Sequence, residues 1–190
     1  MAKDTFNNLK PEKKEKVIEV LKKLFQEKPF HEVTVSEIVE KLGIARGSFY
    51  QYFEDLEDAY FEILNQEVVD IHRVFVNIIQ HDYESLEQAL IDYGKELSEI
   101  LFEKESYMIY KNSYLYWDEN LNERWIGVHD YHGKVITGDK KIGGLDLEQM
   151  HYLKGVIHTI IKRNYKENWT KEEFIKKYQQ YVCWITKGVN

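Results

Sequence analysis

Residues 34–53 read TVSEIVEKLGIARGSFYQYF, and this stretch decides the fold. Thr34-Val35-Ser36-Glu37 has the form of a capping box: the Thr34 hydroxyl takes the Glu37 amide and the Glu37 carboxylate reaches back. A short helix follows, with Val35, Ile38, Val39 and Leu42 on one face. Gly43 ends it and permits a tight turn. A second short helix covers Ala45 to Tyr52. Two short helices across a Gly-containing turn form a helix-turn-helix, which places its second helix in the DNA major groove. Arg46 and Gln51 have the chemistry to read guanine and adenine edges. Ser48, Tyr50 and Tyr52 offer hydroxyls to phosphates, and Gly47 lets the backbone come close, while Phe49 and Phe53 face inward. The alternative is a small helical bundle that carries surface aromatics.

Upstream, Pro11 suits the first turn of a helix. Val17, Val20, Leu21, Leu24 and Phe25 recur at helical spacing until Pro29 stops it. Both prolines fall in the first thirty residues, which favours long helices beyond. Asp55 is placed to cap one reaching about His81, with Leu56, Tyr60, Leu64, Val68, Ile71, Phe75 and Ile79 along one stripe. Further helices are predicted near 83–103, 105–118 and 120–131. Residues 133–145 hold four glycines and read as a loop. Asp146 caps a helix to about Glu167, and Thr170 and Glu173 form a second capping box opening a last helix to about Lys187. The pattern is all-α: a three-helix head, residues 1–54, on a larger helical body, residues 55–190.

Charge is unevenly placed. The 190-residue chain carries 26 basic and 33 acidic side chains, a net −7. An acidic chain as a whole argues against nucleic acid. Residues 1–53, however, balance at +2 and residues 54–190 at −9. A 43% hydrophobic and 14% aromatic content excludes a disordered chain. No apolar run approaches the ~18 residues needed to span a bilayer, and MAKDTFNNLK has no apolar core for a signal peptide. Cys183 is the only cysteine, and a lone thiol suits the reducing cytoplasm. No nucleophile–base set stands out, so no enzyme is expected.

The run Thr34…Glu37-Ile38, Leu42-Gly43-Ile44, Gly47-Ser48-Phe49-Tyr50-x-Tyr52-Phe53 closely resembles the DNA-binding head of TetR-family transcriptional regulators, over roughly residues 12–65. The resemblance implies that Thr34, Arg46, Gly47, Ser48, Tyr50, Gln51 and Tyr52 meet double-stranded DNA at a palindromic operator. It also implies a homodimer built through the last two helices. Val156, Ile157, Ile160, Ile161, Phe174, Tyr178, Val182 and Ile185 are candidates for that surface, or else for the subunit's own core. One departure stands out. Where the family usually has a phosphate-holding lysine after the Phe53 position, this chain has Glu54-Asp55-Leu56-Glu57-Asp58. Four acids beside DNA are expected to repel phosphate.

The body is aromatic-rich at Tyr107, Tyr110, Tyr114, Tyr116, Trp117, Trp125 and Tyr131, which suits either a flat ligand or a core. Among seven histidines, His72 has apolar helical neighbours and His158 follows Gly155. Each is read alone as a core or surface histidine or as a ligand. The stretches GSFYQYFEDLEDAYFEILNQEVVDIH, ending at His72, and VIHTIIKRNYKENWTKEEFIKKY, containing His158, resemble a narrower TetR subgroup. These are haem-sensing repressors of the haem-regulated transporter regulator type, which control haem efflux. The resemblance implies that haem b (iron protoporphyrin IX) is the sensed ligand, with His72 and His158 as the two axial ligands to its iron. Tyr131, His132 and His129 are the fallback ligands. Two imidazoles would fill both axial positions, which suits a sensor better than an enzyme. A repressor answering another aromatic or drug-like ligand, and a haem carrier without a DNA role, are the alternatives.

Overall fold

A computed structural model describes residues 2–67, 71–80, 83–129 and 141–189, and of residues 126–129 the backbone only. The helices are α1 (Asp4–Asn7), α2 (Pro11–Glu27), α3 (Val35–Leu42), α4 (Arg46–Tyr52), α5 (Leu56–Glu67), α6 (Ile71–Gln80), α7 (Leu86–Leu101), α8 (Tyr107–Tyr116), α9 (Glu119–His129), α10 (Leu147–Glu167) and α11 (Lys171–Lys187). A 3-10 turn spans Phe30–Glu32. The fold is all-α; among the described residues β-type pairing is limited to an isolated bridge between Ile142 and Leu145.

The helix expected from Asp55 to His81 is seen as α5 and α6 on either side of residues 68–70, which, like His81, lie outside the described residues. Contacts also group the chain other than at residue 54. One compact unit is Met1–Val69 with Glu105–Asp130, and the other is Asp70–Lys104 with Tyr131–Asn190.

In the first unit, Leu21, Leu24, Phe25, Ile38, Phe49, Phe53 and Phe61 are buried in one core. Phe6 of α1 joins it, its ring 4.9 Å from Phe53 and 6.2 Å from Tyr52, so a four-residue helix with no apolar period is anchored by a single buried side chain together with the bonds of Lys3 before it. Thr34 caps α3 by accepting the Glu37 amide at 3.2 Å. The reciprocal half of the expected box is replaced: the Glu37 carboxylate takes the Lys28 ammonium at 2.7 Å. Gly43 ends α3 at φ +66°, where L side chains are strained. Two of the body aromatics serve this core, while Tyr116 is exposed. Trp117 and Trp125 pack on Phe61, and Tyr110 is buried.

In the second unit, α7 packs against α6 and α11. The Tyr93 hydroxyl donates to the Ile71 carbonyl at 3.2 Å, and Tyr178 donates to that of Leu90 at 3.0 Å. Both expected caps are complete: Asp146 with Gln149, and Thr170 with Glu173. The apolar residues offered as a subunit interface are mostly spent internally. Ile157, Ile160, Ile161, Phe174, Tyr178 and Val182 are buried within the chain, leaving Val156 and Ile185 half-buried. The exposed large apolar side chains of α10 and α11 are Leu147, Tyr152 and Trp184. Of the two roles left open, the subunit's own core fits most of them, because an apolar stripe at helical spacing says that a helix face is covered, not by which chain.

Candidate DNA-reading surface and paired histidines

The reading helix is short, and Ala45 supplies no side-chain cap to it. Arg46 is held at its start by three contacts. One guanidinium nitrogen donates to the Ser36 hydroxyl at 2.9 Å, another to the Tyr50 hydroxyl at 3.2 Å, and the group lies 5.7 Å from the Tyr50 ring centre. Arg46 thereby links α3 to the exposed face of α4. Of the residues expected to meet DNA, Thr34, Arg46, Gly47, Tyr50 and Gln51 are exposed and Ser48 is half-buried. Tyr50 stands 40% exposed but Tyr52 only 4%, and the Tyr52 ring lies against Phe6 and beneath the Lys13 ammonium at 5.7 Å.

The acids after Phe53 are not left bare. The Lys3 ammonium pairs with Glu54 at 2.7 Å and donates to the Tyr50 carbonyl at 3.0 Å. The Lys3 amide donates to the Tyr52 carbonyl at 2.8 Å. Arg124 of α9 gathers the other three carboxylates. It meets Asp55 at 2.7 Å, Asp58 at 3.5 Å, and Glu57. Asp55 Oδ1 also accepts the Asp58 amide, and the nearly buried Asp58 carboxylate accepts the Glu54 amide. Burial pushes the Asp55 carboxyl up, but hydrogen bonds from Arg124 and from the Asp58 amide outweigh it and hold it below its usual range. The acids expected to repel phosphate are thus offset in part, two cations standing against four carboxylates. The sequence reading had no signal for either partner, because Lys3 lies 51 residues from Glu54, and Arg124 lies 69 from Asp55 and 67 from Glu57.

In the second unit, His72 of α6 and His158 of α10 come together. Their Nε2 atoms lie 2.7 Å apart, with ring centres 4.9 Å apart and planes tilted by 33°. One Nε2 must donate and the other accept. Both are half-buried, while Ile71, Phe75 and Ile79 turn the rest of α6 into the core. A Cβ at Gly155 would meet nothing within 4 Å, so the α10 surface is open one turn before His158. The donor set suits a bis-imidazole metal. The facing atoms are the ring nitrogens that ligate metals. Tyr131 and His132 lie outside the described residues, as does the His129 side chain. Among the described residues, no group of three or more His, Cys, Asp or Glu gathers as a metal site.

The comparisons agree with this architecture. The model described as bacterial regulatory proteins, tetR family, matches residues 17–61, and that of the tetracyclin repressor C-terminal domain matches residues 86–188. The chain belongs to the TetR family. An HTH-type transcriptional regulator of Staphylococcus aureus strain USA300 is 28% identical over 85 residues, covering 43% of this chain and 45% of that protein; one from strain NCTC 8325 / PS 47 matches equally. The chain thus spans under half the length of the curated relatives it matches. Two solved structures share the fold. NalD, the secondary repressor of the MexAB-OprM multidrug efflux pump in Pseudomonas aeruginosa, has a TM-score of 0.63 at 14% identity, over 93% of this chain and 96% of NalD. FadR from Bacillus subtilis, solved with stearoyl-CoA, has 0.59 at 13% identity, over 93% and 99%. The family and these relatives are regulators, not enzymes. No helix among the described residues is long and apolar enough to cross a membrane.

Proposed function

We propose that the chain is a cytoplasmic, dimeric repressor that reads a palindromic operator with α4, is released by haem b, and controls a haem-efflux transporter. The observation that carries the haem reading is the meeting of His72 and His158 through their Nε2 atoms. The sequence around each resembles the haem-sensing subgroup. These two imidazoles would hold haem through its iron.

The rest is the work of the chain. His72 and His158 join α6 to α10 within the second unit, so a group held between them would bear on both helices. Only residues 68–70 separate α6 from α5 in the chain, and α5 follows the reading helix directly. A shift of α6 therefore has a short covalent route to the head. In a twofold dimer through α10 and α11, the two heads must present their reading helices at a fixed spacing. A ligand that favours the mis-spaced state by about 5.5 kcal/mol moves the balance from 1:99 to 99:1.

The test is a titration of purified protein with haem, followed by the Soret band, in the parent and in His72→Ala and His158→Ala. A saturable one-to-one spectrum, altered by either substitution, supports the reading. No saturable spectrum, or one unchanged by both, overturns it. A gel shift separates the alternatives: haem should release DNA from this repressor. Haem binding without any DNA binding would mark a carrier, and release only by another aromatic compound would mark a different sensor.

A further inference from the structure

We propose that Arg124 is a positioning residue for DNA binding, setting the head's affinity through the carboxylates of α5 without touching DNA. The inference rests on the DNA-binding reading above. Three observations carry it. Arg124 spends its guanidinium on Asp55, Glu57 and Asp58 together. Those acids open α5, and only Phe53 and Glu54 stand between them and the end of the reading helix. The cluster also abuts the reading helix in space: one Lys3 ammonium bonds both Glu54 and the Tyr50 carbonyl, and the Glu54 amide bonds Asp58.

The electrostatics follow. The head's own charge is only mildly positive, at +2 over residues 1–53. Removing the arginine leaves three carboxylates within about one Debye length of any phosphate gripped by α4. One uncompensated charge at about 10 Å in water is worth a few tenths of a kcal/mol per phosphate, and several phosphates share that range. A loss of about three-fold in affinity per head is expected. The same acids would otherwise serve α5 well, since carboxylates at a helix N-terminus favour the helix. The cluster thus stabilises α5, and Arg124 offsets one of its three charges and so lowers its cost to DNA binding.

The experiment measures binding by fluorescence anisotropy to the duplex that the parent selects from a random-sequence pool, across about 50 to 200 mM salt. Arg124→Gln should bind about ten-fold more weakly than the parent at low salt, two heads acting together, with the gap closing as salt rises. Arg124→Lys should retain most of the affinity, and Glu57→Gln placed in the Arg124→Gln chain should recover part of the loss. Equal affinity of parent and Arg124→Gln overturns the proposal. So does a loss that is constant across salt and unrecovered by Glu57→Gln, because that marks a purely structural role. A parent that selects no duplex overturns the DNA reading and this proposal with it.

Discussion

Gly94 and Tyr178 occupy the same space at the α7–α11 contact: a Cβ added at Gly94 would lie 2.3 Å from Tyr178 Cε1. Only the absence of a side chain there lets the Tyr178 ring lie flat on α7 and donate to the Leu90 carbonyl. Gly94→Ala overpacks this contact, at a cost of about 1–3 kcal/mol. Thermal unfolding should show Tm falling by roughly 2–4 °C for each kcal/mol. Gly94→Ala/Tyr178→Leu should recover part of that loss, because the two changes share one contact. An unchanged Tm in Gly94→Ala would mean the helices are not so closely set.

Asn164 is fully buried in α10, and neither its Oδ1 nor its Nδ2 has a hydrogen-bond partner among the described residues. Burying an unsatisfied amide costs about 1–3 kcal/mol. Asn164→Leu keeps similar bulk and removes the orphaned atoms, while the backbone carbonyl still accepts the Trp169 amide. Its Tm should rise by a few degrees per kcal/mol gained. A fall in Tm would show that the amide is satisfied in solution.

Thr34 caps the first helix of the helix-turn-helix, so Thr34→Ala should cost about 1 kcal/mol and Thr34→Ser nearly nothing. Denaturant midpoints decide this. The Lys28–Glu37 pair nearby is partly exposed and should add well under 1 kcal/mol. Comparable losses from Thr34→Ala and Lys28→Ala would contradict that ranking.

Asp55 gives a pH signature. Its folded carboxyl is held below the ordinary value of about 3.9. A depressed folded value contributes stability above the unfolded value, and that stability is lost as pH falls through the folded value. Asp55→Asn should therefore be less stable than the parent at neutral pH, with the difference shrinking below about pH 4. Urea unfolding of both proteins down the pH scale measures it. A difference that persists undiminished in acid would assign it to packing.

The legible parts of this molecule were the local ones. Thr34, Gly43, Asp146 and Thr170 announce helix ends within four residues of themselves, and the structure places a cap at each. The inward faces of Phe49 and Phe53 follow from helical spacing alone. The helix α1 was not legible, because Asp4–Asn7 carries no period and depends on Phe6 reaching Tyr52 and Phe53. Nor was the reassignment of Ile160, Phe174 and Val182 to the subunit's own core, since spacing names a face and not its partner. His72 and His158 were singled out by resemblance to a subgroup. Their contact across 86 residues has no local trace in the sequence.

The arginine clasp on α5 also bears on inheritance. Helix-turn-helix heads are often pictured as interchangeable cartridges, joined to a sensor at a single seam. Here a crossover at residue 69 would carry the whole acidic turn away from the arginine that answers it. A transplanted head would arrive with its charges unbalanced unless α9 travelled with it. The unit that could be exchanged intact is discontinuous in the gene, Met1–Val69 with Glu105–Asp130, and a single crossover cannot deliver it.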